Sequence, residues 1–139
     1  MAERSDVELL EELLASEQRL LSAYEAALRR DAIDAGLGAI LRDHEREHVR
    51  ALERLLPGGG ARNPRATVPS AELTAALEDR DSFARYALDL EERTVSEYSE
   101  SVSRIRDAGL RQPLGSIQAC GAAHVVALRD SLGESQLVP

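Results

Sequence analysis

Ionisable side chains interrupt the apolar stripes of four segments in this chain, and this pattern restricts the fold more than any other feature. In each segment, apolar residues recur at steps of three and four, which predicts a helix with one face in a core. Near the middle of each stripe Glu or His replaces the apolar residue, at Glu17, Glu45, His48, Glu91 and His124. A buried charge costs several kcal/mol, and a whole domain is stable by only about 5–15 kcal/mol. These side chains must therefore compensate one another or bind a cation.

The apolar stripes and the signals at their ends predict four long helices. Ser5 followed by Glu8 matches a capping box at the first start, Pro57 ends the second helix, and Gly109 closes the third. The predicted helices cover residues of about 6–30, 34–56, 82–107 and 113–132.

One long connection separates the second and third predicted helices. It covers residues 57–81, begins with a Pro-Gly-Gly-Gly sequence, and contains a short helix predicted from Ala71 to Glu78 behind the cap Ser70. A link of this length can carry the chain from one end of a bundle to the other. The sequence therefore predicts an all-α fold, an antiparallel four-helix bundle in a single domain over residues 1–139.

Composition and charge exclude several classes of function. The net charge is −8 and the chain has no lysine, which argues against binding to nucleic acid. No segment approaches the length of apolar sequence needed to span a membrane, and the acidic N-terminal segment lacks the apolar stretch of a signal peptide. We therefore expect a cytoplasmic protein that does not act at a membrane.

The two halves of the chain repeat the ionisable positions. A shift of 74 residues superposes Glu17 on Glu91, and a shift of 76 superposes His48 on His124. Both halves read Glu-x6-Tyr on the first helix and His-Val-x-x-Leu on the second. Residues at equal distance from the turn of a helical hairpin lie at the same height, and this condition places the five ionisable residues in one layer.

These positions resemble the ligand pattern of the ferritin-like superfamily, closest to the small bacterial domains with rubrerythrin-type bundles. Such bundles use one Glu from each of two helices and a Glu-x-x-His pair from each of the other two. Residues 45–48 match one pair, whereas Gly121 replaces the carboxylate of the second. The resemblance covers about residues 7–133 and implies five metal ligands, namely Glu17, Glu45, His48, Glu91 and His124.

The resemblance implies iron as the metal, held as one or two ions, with manganese, zinc or an empty site as the alternatives. Three carboxylates offset only part of the charge of two divalent ions, so a single ion is as consistent with the residues as a diiron pair. Oxygen or peroxide chemistry, as in an oxidase or ferroxidase, or iron handling would follow. The alternative function is a metal-free helical module that dimerises or binds a partner. A homodimer is expected from the frequency of two-fold symmetry.

Each candidate ligand also has an ordinary structural interpretation. Glu17 and Glu91 can lean to the edges of their helices and reach water, and His48 and His124 can bond to glutamates across the bundle in a network without metal. The two interpretations differ in where the side chains point, and the sequence leaves both open.

Two tyrosines complete the candidate site, whereas His44 and Cys120 are expected to play no part in it. Tyr24 and Tyr98 lie two turns beyond the seam glutamates and can either hydrogen-bond the ligands or fill the core. His44 lies about 40° around the helix from His48, so we expect it on the flank or at an interface rather than among the ligands. Cys120 is expected to be a small buried residue, since the chain has no second cysteine.

Overall fold

The regular structure of the protein is helical throughout the residues described by the computed structural model, 4–60 and 70–134. The all-α prediction is confirmed. The four long helices and one short one are α1 (Asp6–Arg29), α2 (Ala35–Leu55), α3 (Ala71–Ala76), α4 (Arg80–Arg104) and α5 (Arg111–Ser131). Residues 61–69 of the predicted connection and residues 135–139 at the C-terminus lie outside the described residues. None of the described helices is long and apolar enough to cross a membrane.

Side-chain caps explain where the helices begin and end. The Ser5 hydroxyl accepts from the Glu8 backbone N–H at 3.1 Å, as the capping prediction requires. Helix α4 starts two residues earlier than predicted because the Asp79 carboxylate caps it. It ends three residues early, at Arg104, because the backbone N–H groups of residues 106–107 donate to the Asp6 carboxylate at 2.9 Å instead of continuing the helix.

The direction of the helices explains the need for a long connection. Short turns at residues 30–34 and 105–110 make α1 antiparallel to α2 and α4 antiparallel to α5. Helices α1 and α4 are also antiparallel, because Glu17 bonds to Tyr98, whereas Tyr24, further along α1, bonds to Glu91, earlier in α4. Helices α2 and α4 therefore point the same way, and the chain between them must return along the bundle.

The apolar core is divided into two clusters, which lie on opposite sides of the ionisable layer except at Leu21 of α1. In α1, Leu14 belongs to one cluster and Leu20 to the other, and Glu17 lies between them. The same order recurs in the other long helices, where ionisable residues separate Leu41 from Leu52, Ala87 from Tyr98, and Ile117 from Leu128. Each fully buried Leu contributes about 1.5–3 kcal/mol, so the two clusters stabilise the bundle while the layer between them carries the polar groups.

Candidate metal centre

All five predicted ligand residues converge in the layer between the two apolar clusters. Helix α1 provides Glu17, α2 provides Glu45 and His48, α4 provides Glu91, and α5 provides His124. The exposed fraction of these residues ranges from 1% for both Glu45 and Glu91 to 8% for His48. The two seam glutamates therefore do not reach water at the helix edges, and that interpretation is wrong.

The first half of the layer consists of Glu17, Glu45 and His48. The Nδ1 atom of His48 lies 3.6 Å from Oε2 of Glu17 and 3.5 Å from Oε2 of Glu45. The spacing of three residues between Glu45 and His48 places both side chains on one face of α2. These three residues can present one ligand atom each to a shared ion.

The second half of the layer consists of Glu45, Glu91 and His124. The Nδ1 atom of His124 lies 3.0 Å from Oε1 of Glu91 and 3.2 Å from Oε1 of Glu45. Glu45 thus belongs to both halves and directs one carboxylate oxygen to each. A carboxylate in this position could offer one oxygen to each of two ions.

Two buried tyrosines hold the outer glutamates, and they do so across the bundle. The Tyr24 hydroxyl donates to Oε1 of Glu91 at 2.7 Å, and the Tyr98 hydroxyl donates to Oε1 of Glu17 at the same distance. Each tyrosine therefore orients the glutamate of the opposite sequence half. Burial raises the pKa of both tyrosines well above 10, and the nearby glutamates raise it further, so both remain hydrogen-bond donors.

Burial and mutual charge set the protonation of the layer. Burial raises the pKa of Glu45 well above its usual value, and the negative charge of Glu17 raises it further. For Glu17, burial raises the pKa, but interactions with Glu45 and His48 outweigh burial and lower it. Burial lowers the pKa of His48, but the two glutamates raise it to about 9. Burial also lowers the pKa of His124, and the opposing effect of Glu91 leaves it raised. Protons therefore supply positive charge where a cation would otherwise be needed.

Several buried polar atoms of the layer have no hydrogen-bond partner among the described residues. They are Oε2 of Glu17, both carboxylate oxygens of Glu45, and Nδ1 of His48. Buried polar atoms without partners are rare and costly. Tetrahedral ligand atoms about 2.0–2.2 Å from one ion lie about 3.3–3.6 Å from one another, and the separations measured here are 3.0–3.6 Å. Carboxylate and imidazole donors are also the set that suits iron, manganese and zinc, so the residues fit a metal centre.

Gly121 stands at the position of the missing carboxylate, and the structure explains why it is small. A Cβ atom built there would lie 3.2 Å from Cγ2 of Val95 and 3.8 Å from Oε2 of Glu91. Helices α4 and α5 therefore approach closely at this point. A carboxylate at position 121 requires Val95 to move or to be shortened.

This packing predicts the behaviour of a restored sixth ligand. We expect Gly121→Glu alone to destabilise the protein by about 1–3 kcal/mol through overpacking. Combining it with Val95→Ala should relieve the contact and increase retention of a second divalent ion. Thermal unfolding with and without metal measures both effects. Gly115→Glu is the matched control, because a Cβ atom at Gly115 meets open space. Equal stability of the Gly121→Glu and Gly115→Glu variants would contradict the packing interpretation.

Sequence reasoning missed two residues that touch the layer. His44 lies half-buried on the flank of α2 and contacts α5, with its Nδ1 atom 2.9 Å from Nε2 of His124 and the two rings parallel, with centroids 5.2 Å apart. Cys120 is half-buried rather than buried, and its sulfur lies 3.5 Å from the same Nε2 atom. The available signal was helical spacing, since Cys120 precedes His124 by four residues and His44 precedes His48 by four.

Three carboxylates and two imidazoles buried between four helices define a class of protein, the helical bundles with a carboxylate-histidine layer. The connectivity, with a long return between the second and third long helices, narrows this class to the ferritin-like bundles. A family model described as "Ferritin-like domain" matches residues 5–134, and the chain belongs to this family. The sequence-based assignment to the ferritin-like superfamily is confirmed. No curated protein and no solved structure matches the chain significantly.

Proposed function

We propose that this protein is an iron-binding ferritin-like protein that holds two ferrous ions in the buried layer. Glu17, Glu45 and His48 hold one ion, and Glu45, Glu91 and His124 hold the other. The observation that carries the proposal is the position of Glu45, whose two oxygens are buried, lack hydrogen-bond partners, and face one half of the layer each. A buried carboxylate that served only packing would carry a high energetic cost without a compensating contact.

Charge balance supports two ions of unequal affinity. Three carboxylates supply three negative charges against the four positive charges of two divalent ions. The first ion replaces the protons held by Glu45 and His48, and the carboxylates balance its charge fully. The second leaves a net positive charge in a dry interior, where charge is expensive. We therefore propose a tight first site and a weaker second site, which a small anion such as hydroxide would strengthen.

Bound iron would supply redox chemistry toward oxygen or peroxide, and the rest of the layer would support it. The two tyrosines hold Glu17 and Glu91 in fixed orientations. The apolar clusters on both sides exclude water from the ligands. Between α2 and α5, an open pocket reaches His48 and provides a route for a small oxidant. We propose an oxidase, ferroxidase or iron-handling role on this basis. The homodimer and the cytoplasmic location stay predictions.

Anaerobic titration with ferrous ion, followed by elemental analysis, tests the proposal. We expect binding of up to two ions per chain in two steps, and consumption of oxygen when air is admitted. Tyr24→Phe is expected to weaken binding without abolishing it, because Glu91 keeps its position as a ligand but loses its hydrogen bond. Tyr86→Phe is the matched control, since Tyr86 lies outside the layer. Binding far below one ion per chain would contradict the proposal.

The alternative function, a metal-free helical module, is favoured by one observation. Each tyrosine already bonds to a glutamate and each buried histidine already contacts two glutamates, so protons alone can compensate part of the charge. Under this alternative, iron would leave the melting temperature unchanged. Iron binding should instead raise it, because a ligand that binds only the folded state stabilises that state.

A further inference from the structure

A third group of metal-ligating side chains lies beside the layer, between α2 and α5. It consists of His44 from α2 with Cys120 and His124 from α5. We call this group the outer triad. Possible ligand atoms from two different helices converge in it. Its thiol is a softer metal ligand than the carboxylates of the layer.

The separations within the outer triad match those around a tetrahedral ion. With about 2.0–2.1 Å from metal to nitrogen and about 2.3 Å from metal to sulfur, tetrahedral ligands lie about 3.3 Å apart for two nitrogens and about 3.5–3.6 Å apart for nitrogen and sulfur. The sulfur of Cys120 lies 3.5 Å from Nε2 of His124 and 3.7 Å from Nδ1 of His44. The two nitrogens are 2.9 Å apart, so a small rotation of the half-buried His44 side chain completes the geometry.

The surroundings of the outer triad leave a route for an ion and a free coordination position. Helices α2 and α5 form the loosest contact between neighbouring long helices. A pocket of about 600 Å³ opens there and is lined by His44 and Cys120 among other residues. His44 and Cys120 are only half-buried. Water can therefore reach the fourth position of an ion held by the triad, an arrangement typical of reactive zinc sites.

We propose that the outer triad is a second metal site, for a thiophilic cation such as Zn²⁺ or Cu⁺. His124 connects it to the carboxylate layer, because Nδ1 faces Glu45 and Glu91 whereas Nε2 faces His44 and Cys120. Binding at the triad displaces the thiol proton of Cys120 to solvent through the pocket. Filling both sites at once requires His124 to give up both ring protons and bridge the two ions, so occupation of one site alters affinity at the other.

The outer triad can be tested apart from the proposed iron centre with Co²⁺ as a spectroscopic probe. The full-length protein is kept reduced with a phosphine and titrated with Co²⁺ without oxygen. We expect a thiolate-to-cobalt charge-transfer band that saturates near one equivalent and disappears when Zn²⁺ is added. Carboxylates and imidazoles alone do not produce this band, so cobalt bound in the layer is not mistaken for cobalt at the triad.

Three variants decide the assignment. Cys120→Ser should abolish the band, and His44→Gln should lower cobalt affinity at least about tenfold. Glu45→Gln should leave the band in place while it disables the layer, so failure of the iron proposal and failure of this one are distinguishable. Zn²⁺ should also slow alkylation of Cys120 by iodoacetamide. Absence of the band in the unmodified protein, or a band unchanged by His44→Gln, would overturn the proposal.

Discussion

Glu45→Gln is expected to abolish stable iron binding in both halves of the layer. The carboxylate directs Oε2 toward His48 and Oε1 toward His124, so its loss removes a ligand from each half and one of three negative charges. Loss of a residue that only orients a ligand costs about 10–100-fold in metal affinity. Loss of a ligand shared by two ions should therefore cost more than about 100-fold. Anaerobic ferrous titration, read by elemental analysis, measures the change.

The same substitution is expected to stabilise the metal-free protein at high pH. Both oxygens of Glu45 are buried without hydrogen-bond partners, and an amide in their place stays neutral and can still donate to Oε2 of Glu17 at a pH at which the Glu45 carboxyl group has lost its proton. Satisfying a buried polar group recovers roughly 1–3 kcal/mol, which is several degrees in melting temperature for a domain of this size. If Glu45→Gln lowers the metal affinity and raises the stability of the metal-free protein, Glu45 serves metal binding rather than folding.

Glu47→Gln provides the matched control for both measurements. Glu47 lies on the same helix, two residues from Glu45, and is exposed. Its substitution removes the same net charge but touches no group of the layer, so both iron affinity and apo stability should stay close to those of the unmodified protein. Iron binding that survives Glu45→Gln, or that falls equally in both variants, would show that the layer is not the metal site.

The metal-free protein is expected to lose stability as the pH rises from 6.5 to about 9. The folded state raises the pKa of His48 from 6.5 to about 9 through its two glutamate partners, although burial opposes the shift. A raised folded-state pKa stabilises the fold fully below the unfolded value, and that stability is lost as the pH passes through the folded value. At about 1.4 kcal/mol per pH unit, the loss reaches about 3.5 kcal/mol at most. Glu45 acts in the same direction, because its pKa is also raised.

The composition of the chain leaves few other groups that titrate in this pH range. The chain has no lysine and only three histidines and one cysteine, so few other groups titrate between pH 6.5 and 9. Denaturant unfolding in the presence of a chelator measures the dependence. His48→Gln should flatten the profile, and saturating ferrous ion should do the same by displacing the protons. An equal slope in the unmodified protein and in His48→Gln would contradict the assignment.

Helical periodicity accounts for the part of the fold that could be predicted. The steps of three and four residues located all four long helices to within a few residues, because the pattern records which face of each helix is buried. The largest differences are at the ends of α4, where capping by Asp79 and by the distant Asp6 decides the boundary. Asp6 lies about one hundred residues from the groups it binds, and no local pattern reports such a contact.

The candidate site could also be predicted only in part. The five interrupted seam positions could be predicted, because a hairpin places residues at equal distance from its turn at equal height. The crosswise bonds from Tyr24 to Glu91 and from Tyr98 to Glu17 could not, because they depend on how one hairpin packs against the other. The close approach at Gly121 also arises only from the packing of α4 against α5.

Local pattern alone was sufficient to establish helices, their buried faces and the ionisable groups on those faces, because each of these properties repeats within a few turns of one segment. Distances between segments came only from the folded chain. They decided that Glu45 faces both halves of the layer, and that His44 and Cys120 lie against His124. Ligand atoms must meet within a few ångströms to share an ion, and that proximity is set by the packing of four helices together.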